Sequence, residues 1–146
     1  MHAEDPQLHD EDYAYRGTLI ILLAEKDVIF RNLLRSTLDN NSYNVFVASS
    51  ENEALKVSRT FEGEISLLVT DLEMLRINGG KLEYLIMQER PGIRIIQISE
   101  KFAENFVDGS LTGDILQQSS GTAIKLLKTI REVMTAAPPG TKEIIS

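Results

Sequence analysis

Three residues of this chain have the type and placement to do chemistry together: Asp71, Glu25 and Ser99. Asp71 ends the run Ile65-Ser66-Leu67-Leu68-Val69-Thr70, apolar and β-branched, too short for an ordinary helix and read as a strand buried on both faces. Glu25, followed by Lys26 and Asp27, ends the run Thr18-Leu19-Ile20-Ile21-Leu22-Leu23-Ala24 in the same manner, and Ser99 follows Ile93–Ile98. In an open parallel sheet, ligands sit just beyond the carboxyl ends of the strands, where all three residues fall. Two carboxylates in one crevice either share a proton or hold a hard cation such as Mg²⁺, and a hydroxyl opposite them can donate to an anion.

The elements that must position these residues alternate along the chain. After the first strand, Phe30, Leu33, Leu34, Thr37 and Leu38 recur at helical spacing until Asp39-Asn40-Asn41-Ser42 stops them. Tyr43–Ala48 reads as a second strand, and Ser50 with Glu53 opens the next helix as a capping box. Beyond the Asp71 strand, Leu75-Arg76-Ile77-Asn78-Gly79-Gly80 is a loop leading to a helix with Leu82, Leu85 and Ile86 facing in, ended by Arg90-Pro91-Gly92. After Ser99 come a short helix over Phe102–Val107, a thin fifth strand at Asp114-Ile115-Leu116, and a last helix striped by Leu126, Leu127, Ile130, Val133, Met134 and Ala137. Connections this short imply right-handed crossovers, hence an α/β fold with a doubly wound, five-stranded parallel sheet of order 2-1-3-4-5. In that order the first and third strands are neighbours, so Glu25 and Asp71 should converge. The expected organisation is an acidic mobile tail over 1–16, one domain over 17–137, and a tail or linker over 138–146 after Pro138-Pro139-Gly140.

Composition narrows the function classes. A net charge of -7 argues against a nucleic-acid backbone binder. No apolar run is long enough to span a bilayer, and no basic segment with a cleavage site precedes the first strand, so neither membrane attachment nor secretion is expected. The absence of cysteine excludes thiolate metal sites and a Cys nucleophile, and fits a reducing, cytoplasmic setting. The charged, glycine-free Glu25-Lys26-Asp27 turn argues against a flavin or nucleotide phosphate loop.

From Leu19 to Met134 the chain resembles a receiver domain of the two-component response regulators, with a flavodoxin-like receiver fold. The resemblance is carried by Ile21 to Asp27 with Arg31 downstream, Glu53-Ala54-Leu55, Leu67 to Met74, Asn78-Gly79, Ile95-Ile96-Gln97-Ile98-Ser99, and the last helix. It implies that Asp71 accepts a phosphoryl group from a sensor histidine kinase or histidine phosphotransfer protein. Mg²⁺ would be held by Glu25, Asp71 and the backbone carbonyl of Glu73, and Ser99 would act as the switch hydroxyl. The resemblance implies no enzyme beyond self-catalysed phosphotransfer and dephosphorylation at Asp71, and a homodimer through the face of the fourth and fifth helices.

The chain also departs from the family pattern. Counting back from Arg31 puts Lys26 at the second position of the acidic pair, where it becomes a candidate partner of Asp71. Aligning Asp114 to Gln117 with the family's fifth strand puts Gln118 at the switch-lysine position, and no lysine occurs between Lys101 and Lys125. Leu75 stands where the family has Pro, Ile115 takes the aromatic switch position, and the short span from Ser99 to Gln118 implies a shortened fourth helix. Glutamine supplies a hydrogen bond without charge, and one ammonium supplies less charge than a divalent ion. The expected outcome is an impaired receiver with weak or absent Mg²⁺ binding; the alternative is a phosphorylation-independent pseudo-receiver that acts as a protein-interaction module.

Overall fold

The computed structural model describes residues 19–72, 81–111 and 121–146. They form β1 (Ile20–Ala24), α1 (Val28–Asn40), β2 (Asn44–Ala48), α2 (Glu51–Thr60), β3 (Leu67–Asp71), α3 (Lys81–Glu89), β4 (Arg94–Ile98), α4 (Glu100–Leu111), α5 (Gly121–Ala136) and β5 (Lys142–Ile145). All strand pairs are parallel and the order is β2-β1-β3-β4-β5, as the alternating pattern implied.

The near-continuous apolar runs are explained by helices on both faces of the sheet. Ile21, Leu23, Leu67, Val69, Ile96 and Ile98 point to one face, where they pack on Leu34 and Leu38 of α1, Phe106 of α4, and Leu126 and Ile130 of α5. Leu22, Ala24, Leu68 and Ile95 point to the other, against Ala54 of α2 and Leu82 and Ile86 of α3. A one-residue slip would exchange these sets, so burial on both faces fixes the register that delivers Asp71 and Glu25.

Local signals set the helix boundaries. The Asp27 carboxylate accepts the Phe30 N–H at 2.9 Å and starts α1. Ser42, at φ 71°, takes the left-handed turn after α1. The Ser50 hydroxyl accepts the Glu53 N–H at 3.1 Å, while Glu53 Oε1 reaches back to the Ser49 N–H at 2.6 Å, a capping box shifted by one residue on its return arm.

Three expectations need correction. The fifth strand is Lys142–Ile145, inside the segment 138–146 read as a tail or linker; the stretch at Asp114–Leu116 lies outside the described residues. Ile145 supplies the reason: it is buried in the α1-side core while the strand completes the edge of β4. Second, α4 runs 12 residues from Glu100, well beyond Phe102–Val107, so it is not cropped. The Ser99 hydroxyl, which accepts the Phe102 N–H, starts it early. Third, the crossovers do not all share one hand. Those from β1 to β2, β2 to β3 and β3 to β4 do, because each change of direction across the sheet is matched by a change of face. The path from β4 to β5 continues away from β1 yet carries α4 and α5 over the α1 face, which gives it the opposite hand. Parallel crossovers are right-handed in ~98% of cases, so the placement of these two described helices on the α1 face is an exceptional one.

Candidate functional site

Glu25 and Asp71 each stand one residue beyond the Ala24–Thr70 register pair of β1 and β3, which sets their side chains together. Glu25 still belongs to the sheet on its other side, where its N–H donates to the Ala48 carbonyl at 3.0 Å. Both carboxyls are in phase with the residues that face α1, and both are buried, at 4% and 8% exposure. They line a cavity of about 680 Å³ together with Lys26, Asp27 and one side of α4.

The two side chains hydrogen-bond to one another. Burial is the largest influence on Glu25 and pushes its carboxyl up to about 8; the bond to Asp71 and the charges of Asp71 and Asp27 act in the same direction, and the Asp27 N–H donating to its Oε2 at 2.9 Å opposes them. At neutral pH Glu25 therefore carries a proton that Asp71 can accept in a hydrogen bond.

The β1–α1 turn is held rigidly. Arg31 Nη1 donates to the Glu25 carbonyl at 3.0 Å and lies 3.5 Å from that of Lys26, so the arginine that aligned the family pattern bonds the backbone that carries Glu25. Asp27 caps α1 and also borders the cavity, whereas Lys26 lines the same cavity from an exposed position.

Ser99 stands at the end of β4, one residue past Ile98, the register partner of Asp71. Its hydroxyl accepts the Phe102 N–H at 3.1 Å and caps α4, and it does not line the cavity. Glu73 and Gln118, expected to supply a metal-binding carbonyl and to replace the switch lysine, lie outside the described residues. Glu100, Glu104 and Asp108 of α4 were not foreseen as site residues; they form one wall of the cavity. Their i, i+4, i+8 spacing was the available signal, and it reads equally well as a solvated helix face.

Among the described residues no group of three or more side chains is arranged to hold a metal. Glu25 and Asp71 do suit a hard cation that keeps most of its water, because Mg²⁺ is commonly held through one or two carboxylates. Among the described residues, no helix is long and apolar enough to cross a membrane.

The family model of the response regulator receiver domain matches residues 21–116. Solved structures with the same architecture include the receiver domain of HemR from Leptospira biflexa, in its non-phosphorylated state (21% identity, 83% of this chain and 98% of that one, TM-score 0.59). The response regulator TrrA from Thermotoga maritima, in complex with Mg²⁺ and a beryllium fluoride, is similar over 79% of this chain and 98% of its own (21% identity, TM-score 0.56). The chemotaxis response regulator CheY4 of Vibrio cholerae is similar over 77% and 98% (20% identity, TM-score 0.54). At these identities the structures speak for the fold. A search of curated proteins finds no match.

Proposed function

Because this chain belongs to the response regulator receiver domain family, we propose that Asp71 is its phosphoacceptor and that the pocket around it is a handicapped one. The observation that carries the reading is the buried Glu25–Asp71 pair at adjacent strand ends, on the rim where parallel sheets do their chemistry. An Asp71 carboxylate oxygen attacks the phosphorus of a phosphohistidine on a kinase or phosphotransfer partner. The P–N bond breaks, an acyl phosphate forms on Asp71, and the imidazole leaves as the neutral base once protonated. The receiver holds the acceptor in line and buries it; the remaining demand is charge neutralisation, which dominates phosphoryl transfer.

Glu25 and Asp71 would hold Mg²⁺, with the Glu73 carbonyl as a third donor by family analogy; bound there, the ion neutralises charge on the transferring phosphoryl. Its binding is weak, because Glu25 must first lose the proton it keeps up to about pH 8. Lys26, an exposed cation on the border of the same cavity, would take part of the metal's electrostatic role with one charge in place of two. Ser99 reaches the phosphoryl only by giving up the cap on α4. Gln118 in place of a lysine leaves one phosphoryl oxygen without a charged partner.

A second reading, a pseudo-receiver that binds partner proteins without phosphorylation, is favoured by the Glu100, Glu104 and Asp108 wall, which repels an incoming phosphoryl group. Pairing of copies through the α4 and α5 face, and residence in the cytoplasm, complete the proposal. Intact-mass measurement after incubation with acetyl phosphate and Mg²⁺ separates the two readings. One added phosphoryl group, absent from Asp71→Asn, supports the acceptor; none at any Mg²⁺ concentration supports the pseudo-receiver.

A further inference from the structure

β5 is unlike the other strands of the sheet. It has four residues, lies at an edge, and leaves Lys142, Glu143 and Ile144 exposed, with Ile145 alone in the core. The chain enters it through Pro138-Pro139-Gly140, with Gly140 at φ 81°. Its Lys142 Nζ meets Glu83 Oε1 of α3 at 2.6 Å, an ion pair between a half-exposed lysine and a mostly buried carboxylate that also accepts from Gln97 Nε2. A short, exposed edge strand belongs to the part of a fold that opens at least cost.

Yet the end of β5 supports the rim of the Asp71 cavity. The Ser99 N–H donates to the Ile145 carbonyl at 2.9 Å, and Lys125 Nζ of α5 donates to the Ser146 carbonyl at 2.7 Å. Ser99 in turn caps α4, whose Glu100, Glu104 and Asp108 border the cavity. The topology adds a reason. With β5 docked after α5, both α4 and α5 travel over the α1 face, the face toward which Glu25 and Asp71 point. Docking of this last strand is thus tied to the position of the helix whose acidic residues border the Asp71 cavity.

We infer that β5 is a detachable strand: docked on β4, it holds Ser99 and α4 so that α4 walls the Asp71 cavity with carboxylates, and released, it frees α4 and opens Asp71 to a phosphodonor. The effect on Asp71 rests on the reading of that residue as the acceptor. Like charges around a carboxylate oppose the arrival of a phosphoryl group, so moving three of them away lowers the electrostatic barrier.

The test uses the chain's lack of cysteine. Gln97 and Ile144 are register partners on the same side of β4 and β5, and neighbouring strands lie ~4.8 Å apart, within the span a disulfide bridges. The double variant Gln97→Cys/Ile144→Cys is compared with itself, oxidised and reduced, after circular dichroism establishes the same fold in both states. Oxidation is expected to form the crosslink, to slow amide hydrogen exchange at Ser99 and along α4, and to slow labelling of Asp71 by acetyl phosphate severalfold. Ile145→Ser, which loosens β5 without a crosslink, is expected to speed exchange at the same amides. Failure of the crosslink to form, or equal exchange in the two redox states, overturns the detachable strand. Different exchange with equal labelling overturns its coupling to Asp71. Labelling in neither state sinks the acceptor reading instead, and the exchange data then decide the strand alone.

Discussion

Glu25 and Asp71 face each other from adjacent strands as a hydrogen-bonded carboxyl pair, and burial keeps a proton on Glu25 up to about pH 8. In the folded protein that carboxyl titrates far above its ordinary value near 4.5. The folded state therefore holds a proton that the unfolded chain gives up. The stability this contributes is complete below about pH 4.5 and is lost as pH rises through about 8. Melting temperature should fall between pH 5 and pH 8.5, and Glu25→Gln should flatten that part of the profile. At pH 8.5 the variant should be more stable than the parent by on the order of 1–2 kcal/mol, since water reaches the pocket and screens the pair. A parent profile as flat as that of the variant contradicts the shared proton.

The same proton governs metal binding. Mg²⁺ needs both carboxylates ionised, so each bound ion should release close to one proton below pH 8, and affinity should climb steeply with pH until Glu25 has titrated. Calorimetry in two buffers of different ionisation enthalpy reads the proton directly. Affinity that does not change between pH 6 and pH 8.5 would show that Glu25 is no ligand.

The wall of α4 should slow phosphorylation by charge alone. Glu104→Gln/Asp108→Asn keeps the shape of the helix face and removes two negative charges from the cavity border. Labelling of Asp71 by acetyl phosphate should accelerate roughly three- to tenfold, with the gain shrinking in high salt. An unchanged rate would mean that α4 does not act on the acceptor.

Sequence reasoning reached the inner strands and the acidic pair because β1, β3 and β4 are buried on both faces, and such runs announce both their length and their end. Their order then placed Glu25 against Asp71 without knowledge of any side chain. It failed at β5 for a physical reason. Lys142-Glu143-Ile144-Ile145 is an edge strand with one residue in the core, it follows Pro138-Pro139-Gly140, and nothing local distinguishes it from a linker. Asp114–Leu116, which lies outside the described residues, carries a similar two-residue apolar signal, and nothing local ranks one above the other. Ser99 was legible as a rim residue but not as the cap of α4, although Phe102 stands three positions later, where an N-cap side chain finds its donor. The charges of α4 do face water, as such a spacing suggests, and what the sequence could not show is that the exposed Glu100, Glu104 and Asp108 also border the Asp71 cavity.

Away from the site, Arg90 ties the end of α3 to the turn after α2. Its guanidinium donates to the Ser58 hydroxyl at 2.9 Å and to the carbonyls of Ser58, Phe61 and Gly63 at 2.8, 2.7 and 2.8 Å. Arg90→Ala leaves those acceptors without the charge-assisted donor and should cost about 2–3 kcal/mol in urea unfolding, with no effect on the pH dependence set by Glu25. A loss below about 0.5 kcal/mol would mean that water replaces the arginine fully.

The most direct test is the covalent state of Asp71. The protein is incubated with acetyl phosphate and raised Mg²⁺ at pH 6.5 and pH 8.5, and intact mass is followed over time. The expected result is a single phosphoryl group, mapped to Asp71, absent from Asp71→Asn, and gained faster at the higher pH, where Glu25 has released its proton. No adduct under either condition, or an equal adduct on Asp71→Asn, would contradict the account.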